Sequence, residues 1–176
     1  MANATVQIRR WTGASGSETK TDVTGINSRL NAYDGHSTAD TTYPIKIPSS
    51  GTNYSYWGSF RLYVSANASA HTLDNVKWYT QDGTNNFTTD VGLNVGTTNS
   101  YTQATGTSGE TGNASSVATT NAFTYTSSNM LTVTTSSTTS ASVDLGDFVV
   151  LQITVGSSAV AGPTGQETMV FQYEES

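Results

Sequence analysis

The sequence predicts an all-β protein folded as an antiparallel β-sandwich with long Ser/Thr/Gly-rich loops. Apolar residues recur with period two along much of the 176-residue chain, while helical periodicity is scarce. The alternating runs are short and are separated by Gly-, Asn- and Thr-rich turns. Many of them are rich in Thr, whose branched Cβ suits a half-exposed pleated surface. Within this class a jelly roll is the specific arrangement to be expected. The length suits one domain, residues 1–176, with residues 1–20 as an N-terminal strand or arm set off by "TGASGSETK".

Each element follows from its local pattern. "ATVQIRRW" places Val6 and Ile8 on one strand face and Thr5, Gln7 and Arg9 on the other. "TDVTGINSRLNAYD" reads as the one short helix. "TYPIKIP" alternates Tyr43, Ile45 and Ile47, and Pro44 makes it an edge strand. "YSYWGSFRLYVSA" is the longest strand candidate. Tyr54, Tyr56, Phe60, Leu62 and Val64 share one face, and Trp57, Arg61 and Tyr63 the other. "DNVKWYT" pairs Val76 with Trp78 and stops at Asp82-Gly83, a strong turn signal. "NFTTDVGLNVG", as one strand or two, and "SYTQAT", "NAFTYTS" and "NMLTVTTSS" are weaker strand candidates. Residues 106–120, "GTSGETGNASSVATT", read as a long loop or contact arm.

The hydrophobicity gathers at the end. "DFVVLQITV" is apolar on both faces at Phe148, Val149, Val150 and Leu151, as a central strand covered on both sides would be. "ETMVFQYEE" puts Met169, Phe171 and Tyr173 on one face. "GSSAVAGPTGQ" between them is too long for a tight hairpin and reads as a crossing between two sheets.

Composition excludes several classes of function. Cysteine is absent, which removes disulfides, thiolate metal sites and cysteine nucleophiles. Charged residues are only 11 % of the chain, and Thr, Ser, Asn and Gly fill nearly half of it. The net charge is −6 and the basic residues are scattered apart from Arg9-Arg10, so no phosphate-binding surface is expected. The sequence contains no apolar run long enough to span a membrane, and "MANATVQIRR" does not read as a secretory signal.

Chemistry-bearing residues are few. His36 and His71 have no histidine partner at helical or strand spacing. His71 with Asp74 is the one acid–base pair to consider, against a plain reading of both as loop histidines. Asp34 and Asp40 bracket His36, and Asp144 and Asp147 flank Gly146, but neither stretch has calcium-loop spacing. "DLGD" reads instead as a turn into the central strand. No G-x-S-x-G elbow or phosphate loop is present. No enzyme activity, cofactor or metal is therefore expected.

The best candidates for function are aromatic. Tyr54, Tyr56, Trp57, Tyr63, Trp78 and Tyr79 are placed to line a sheet. Core packing, a subunit or partner interface and sugar stacking are the three readings open to them. Arg9 and Arg10 beside Trp11 could anchor to an acidic surface, or they could simply form a solvated strand edge. The candidate interface is Arg9, Arg10, Trp11, Trp57, Tyr63, Trp78 and Tyr79.

Three stretches taken together carry a resemblance. They are "ATVQIRRWTGA", "YPIKIPSSGTNYSYWGSFRLYVSA" with "NVKWYTQDG", and "GDFVVLQITV" with "GPTGQETMVFQYEE". In style the chain resembles the small Thr-, Ser- and Gly-rich β-sandwich structural proteins of tailed bacteriophages and related prophages. The resemblance implies a virion component, assembled in the host cytoplasm, with no chemistry of its own. It points first to a capsid decoration (cement) protein acting as a homotrimer on the major capsid protein or another virion protein. A tail or fibre component is the rival within the particle, and a carbohydrate-binding module outside it. No signature residue is transferred.

Overall fold

The computed structural model describes residues 3–38 and 41–176. It is an antiparallel β-sandwich of two unequal sheets. In chain order the strands are β1 (Thr5–Thr12), β2 (Thr19–Asp22), β3 (Thr52–Tyr54), β4 (Gly58–Ala66), β5 (Leu73–Thr80) and β6 (Val91–Thr98). There follow β7 (Gly106–Thr107), β8 (Thr111–Gly112), β9 (Thr120–Asn121), β10 (Leu131–Thr134), β11 (Val143–Gly156) and β12 (Met169–Glu175). The nine-stranded sheet runs β2-β1-β4-β11-β3-β8-β7, with β6 on the other edge of β11 and β9 beside β6. The second sheet is β10-β5-β12.

β11 organises the large sheet, as its two-sided hydrophobicity implies. β4 and β3 pair along one edge of it and β6 along the other. Residues 148–152 are buried, the inward Val149 and Leu151 with the outward Phe148, Val150 and Gln152. The stretch after β11 does cross between the sheets, since β12 pairs with β5. The core lies between Ile8, Phe60, Leu62, Val64, Leu93, Val95, Leu145, Val149 and Leu151 of the large sheet and Val76, Trp78 and Val133 of the small one.

"DLGD" is not a turn before the strand but a bulge inside it. Between Leu145–Leu62 and Val149–Phe60 the pairing advances four residues on β11 and two on β4. Gly146 takes a φ of 79° there, and its carbonyl accepts a 2.5 Å hydrogen bond from Arg61 Nε. A Cβ at Gly146 would lie 2.8 Å from Thr134 Cγ2. Gly146→Ala is expected to destabilise by about 1–2 kcal/mol, read as a lower urea midpoint at unchanged slope.

Several other expectations need correction. Described residues 3–20 take the strand form of the expected strand or arm, and they are not set off from the body. β1 is an inner strand between β2 and β4, and "TGASGSETK" is the β1–β2 hairpin connection. The expected 54–66 strand is two strands. At the break Ser55 N bonds Ile153 O and Tyr56 N bonds Asn31 O, and Gly58 packs where a Cβ would meet Leu30 Cδ2 at 2.7 Å. The break reverses the face, so Tyr54, opposite Thr154, lies on the side of the sheet away from Phe60 and Leu62. No helix forms in residues 21–34, and "TYPIKIP" is not a strand. Lys46 N and Ala32 N make loop hydrogen bonds to Glu110 O and Tyr43 O instead. Residues 106–120 hold the small β7–β8 hairpin within a loop. Ser115 and Asn113 of that loop bond the side chain of buried Gln152, which fixes the loop on the sheet.

Candidate interaction surface

The outer face of the large sheet gathers much of the expected interface and residues the sequence did not single out. Register places Arg9 opposite Arg61, Trp11 opposite Ser59, and Gln7 opposite Tyr63. On the far side of β1, Asp22 and Lys20 stand opposite Arg9 and Trp11. Asp144 of β11 faces Tyr63. Directly opposed residues share a face, so Arg9, Lys20 and Arg61, three of the seven Lys and Arg residues, lie on one side of the molecule.

Each cation lies against an aromatic ring. Arg9 Cζ is 3.2 Å from the Tyr63 ring centroid, Lys20 Nζ 3.7 Å from that of Trp11, and Arg61 Cζ 5.0 Å from that of Phe148. The polar ends are also held. Arg9 Nε and Nη2 donate to Gln7 Oε1 at 3.1 and 3.0 Å, and Lys20 lies 3.5 Å from Asp144 Oδ2. Trp11 packs edge-on against Phe148 at 4.8 Å and tilted against Tyr101 at 5.6 Å. The result is a row of oriented cations on a rigid, partly apolar floor. A surface of this kind suits noncovalent docking of acidic or planar polar groups. The Arg9–Tyr63 contact is expected to show a coupling of about 0.5–1 kcal/mol. The measurement is a double-mutant cycle with Arg9→Ala and Tyr63→Leu, and a coupling near zero would mean the stacking adds nothing in solution.

The other end of this face is covered. Phe148, Val150 and Ala118 form a second small core with Trp11, Trp57, Tyr101 and Val117 packed on it. Trp57 Nε1 donates to Thr102 O at 3.2 Å, and Tyr101 OH to Gly13 O at 2.8 Å. Burial, chiefly, and then the Asp34 charge hold the Tyr101 phenol well above the usual tyrosine range. Trp57 is therefore half-buried under loops rather than presented as a flat platform.

Three expected interface residues lie elsewhere. Arg10 has the parity of Val6 and Ile8, points inward and is 1 % exposed. Trp78 is fully buried in the main core. Tyr79 faces outward from the small sheet, opposite Val170, away from the row of cations. Lys20, Arg61, Phe148, Tyr101 and Asp144 were missed. The β1–β2 hairpin that sets Lys20 over Trp11 is a tertiary register with no sequence motif, although Arg61 shares the strand parity of Tyr63.

The histidines have local partners. His71 Nδ1 lies 3.8 Å from Glu175 Oε1, and its backbone N–H donates to Asn67 Oδ1 at 2.9 Å, so the carboxylate recorded beside it is Glu175 rather than Asp74. His36 Nδ1 is 3.4 Å from Ser28 Oγ, which also accepts from Arg10 Nη1 at 3.1 Å. Asp40, the second carboxylate bracketing His36 in sequence, lies outside the described residues. Burial, then the Arg10 charge, lower the His36 pKa from its ordinary 6.5. A lowered histidine pKa means the unfolded chain binds the proton more tightly. The contribution is thus present above about pH 6.5 and lost as pH falls below it. The melting temperature is expected to fall from pH 7.5 to 5.5, and by less in His36→Gln.

Two surface depressions, of about 280 and about 310 Å³, are lined mostly by polar residues, Asp82 and Glu167 in the first and Asp90 with Thr154 of β11 in the second. Among the described residues no group of three or more His, Asp or Glu side chains gathers as metal ligands would. No helix among them is long and apolar enough to cross a membrane. No protein-family model matches the chain, and no curated protein or solved structure matches it.

Proposed function

We propose that this chain is a non-enzymatic structural protein of a virus particle, a decoration protein that binds the assembled head of a tailed bacteriophage. The observation that carries the reading is the row of cations on the outer face of the large sheet. Arg9, Lys20 and Arg61 are braced on Tyr63, Trp11 and Phe148 in a chain whose net charge is −6. Such a face complements an acidic shell surface built from the major capsid protein. A contact of ordinary size, about 1,600 Å² in total, is sufficient for specific binding. Because the protein binds the assembled state, occupancy of many equivalent sites stabilises the shell by linkage. The braced, low-charge sandwich with its neutral Thr/Ser surface suits static, repeated contacts.

An antibody raised against the purified protein tests this directly. Particles released by the bacterium that carries the gene are labelled and viewed by negative-stain microscopy. Label over the heads is the expected result. Label confined to tails would replace decoration with the tail or fibre role, and particles without label would overturn the virion reading.

A further inference from the structure

The strands at the sheet edges are unequal. β2 and β10 have four residues each, and β7 and β9 two. β2 also carries Lys20 and Asp22. Short, charged edges of this kind resist pairing with other chains. β12 is different. Its seven residues, Met-Val-Phe-Gln-Tyr-Glu-Glu, include neither Pro nor Lys and carry charge only at the C-terminal Glu174 and Glu175, and among the described residues it pairs with β5 alone.

Two further observations mark this edge. Met169, Phe171 and Tyr173 pack against the main core yet stay half-buried, while Val76 and Trp78 on neighbouring β5 are completely buried. Among the described residues the flank of the core is thus open beside Met169, Phe171 and Tyr173. The edge is also regular. Between Gln172–Lys77 and Glu174–Asp74 the pairing advances two residues on β12 and three on β5, so the extra residue belongs to β5, where Asn75 takes a φ of 49°. The free side of β12 therefore keeps an uninterrupted alternation.

We infer that the free edge of β12 pairs with β12 of a second copy of this chain, antiparallel about a two-fold axis at Gln172. This register sets Phe171 beside Tyr173 of the second copy on the core side, covering both half-buried rings. Glu174 and Glu175 fall opposite Val170 and Met169 of the second copy, so the carboxylates of the two chains lie at opposite ends. A parallel pairing would bring them together in a chain that is already acidic. Main-chain hydrogen bonds supply attraction, the alternating side chains fix register, and the contact is self-complementary. The inference goes beyond the virion reading and does not depend on it, because the outer face of the large sheet stays free.

The absence of cysteine makes the register testable with single substitutions. Directly opposed residues of antiparallel strands are about 4.5–5.5 Å apart at Cα, within disulfide range. Gln172→Cys is therefore expected to give a disulfide-linked dimer under mild oxidation, several times faster than Ser116→Cys on an exposed loop. Val170→Cys should cross-link poorly with itself and readily with Glu174→Cys in a mixture. Oxidation of Gln172→Cys no faster than Ser116→Cys would overturn the pairing. So would Val170→Cys joining itself as readily as it joins Glu174→Cys. The readout is a non-reducing gel, and circular dichroism confirms that each variant is folded.

Discussion

Trp78→Ala is expected to lower stability by about 4 kcal/mol, the largest single effect in this molecule. Trp78 is 0 % exposed and belongs to the buried cluster between the sheets that includes Val76, Leu62, Val95 and Val149. Tyr125 lies edge-on to it at 6.5 Å. Truncation removes the transfer energy of an indole and leaves a cavity between two hydrogen-bonded sheets that cannot easily collapse. For a domain of this size that corresponds to a fall of roughly 10 °C or more in melting temperature. Trp78→Phe separates packing from polarity. The Trp78 Nε1 is buried without a hydrogen-bond partner among the described residues, so phenylalanine loses volume but also removes an unsatisfied donor. Its cost is expected to be about 1–2 kcal/mol. Equal costs for the two variants would mean that volume is not the deciding term.

Arg10→Ala is expected to cost about 3 kcal/mol, and Arg10→Met much less. Arg10 Nη1 donates to Ser28 Oγ at 3.1 Å and to Arg29 O at 2.5 Å, while Nε has no partner among the described residues. Burial is the main cause that brings its pKa down to about 10, and the charge of Asp34 only partly offsets it. Asp34 itself is bonded to Gly13 N at 3.0 Å and to Gln103 Nε2 at 2.8 Å. The guanidinium is thus a buried cation supported by neutral acceptors. Alanine loses both the stem's packing beside Phe60 and the tether on residues 28–29. Methionine keeps the packing and removes the desolvated charge. Chemical denaturation of the two variants decides the matter. If methionine is as damaging as alanine, the hydrogen bonds to the 28–29 segment outweigh the cost of burying the charge.

Arg10 also shows how much was legible in the sequence. Period two put Val6 and Ile8 on one face, and the same parity assigns Arg10 to that face. The charge of the Arg9-Arg10 pair suggested a surface arm. Strand parity prevailed because the segment after β2 offers Arg10 its acceptors, and such acceptors leave no pattern in sequence. β4, β5 and β6 were legible because alternation and burial agree in them, and β11 because its two-sided hydrophobicity matches burial on both faces. "TYPIKIP" alternates equally well, yet its backbone groups are claimed by the loops around Ala32 and Glu110. The candidate surface was half legible. Arg9, Trp11 and Tyr63 were identified, whereas Lys20 and Asp144 reach the same place only through the β1–β2 and β4–β11 registers.

The central position of β11 has a consequence for how the protein is made. Val64 can pair with Val6 of β1 at once, but it must wait for Val143, and Val91 for Val155, to gain its neighbour on β11. On the ribosome β4 and β6 therefore emerge long before the strand that joins them, and the edges that face it stay open meanwhile. Distant pairings of this kind slow folding and lengthen exposure to aggregation. Nearly half the chain is Thr, Ser, Asn or Gly, and the alternating stretches are interrupted by those residues. A sequence so diluted in hydrophobic runs is suited to staying dissolved until its keystone strand arrives.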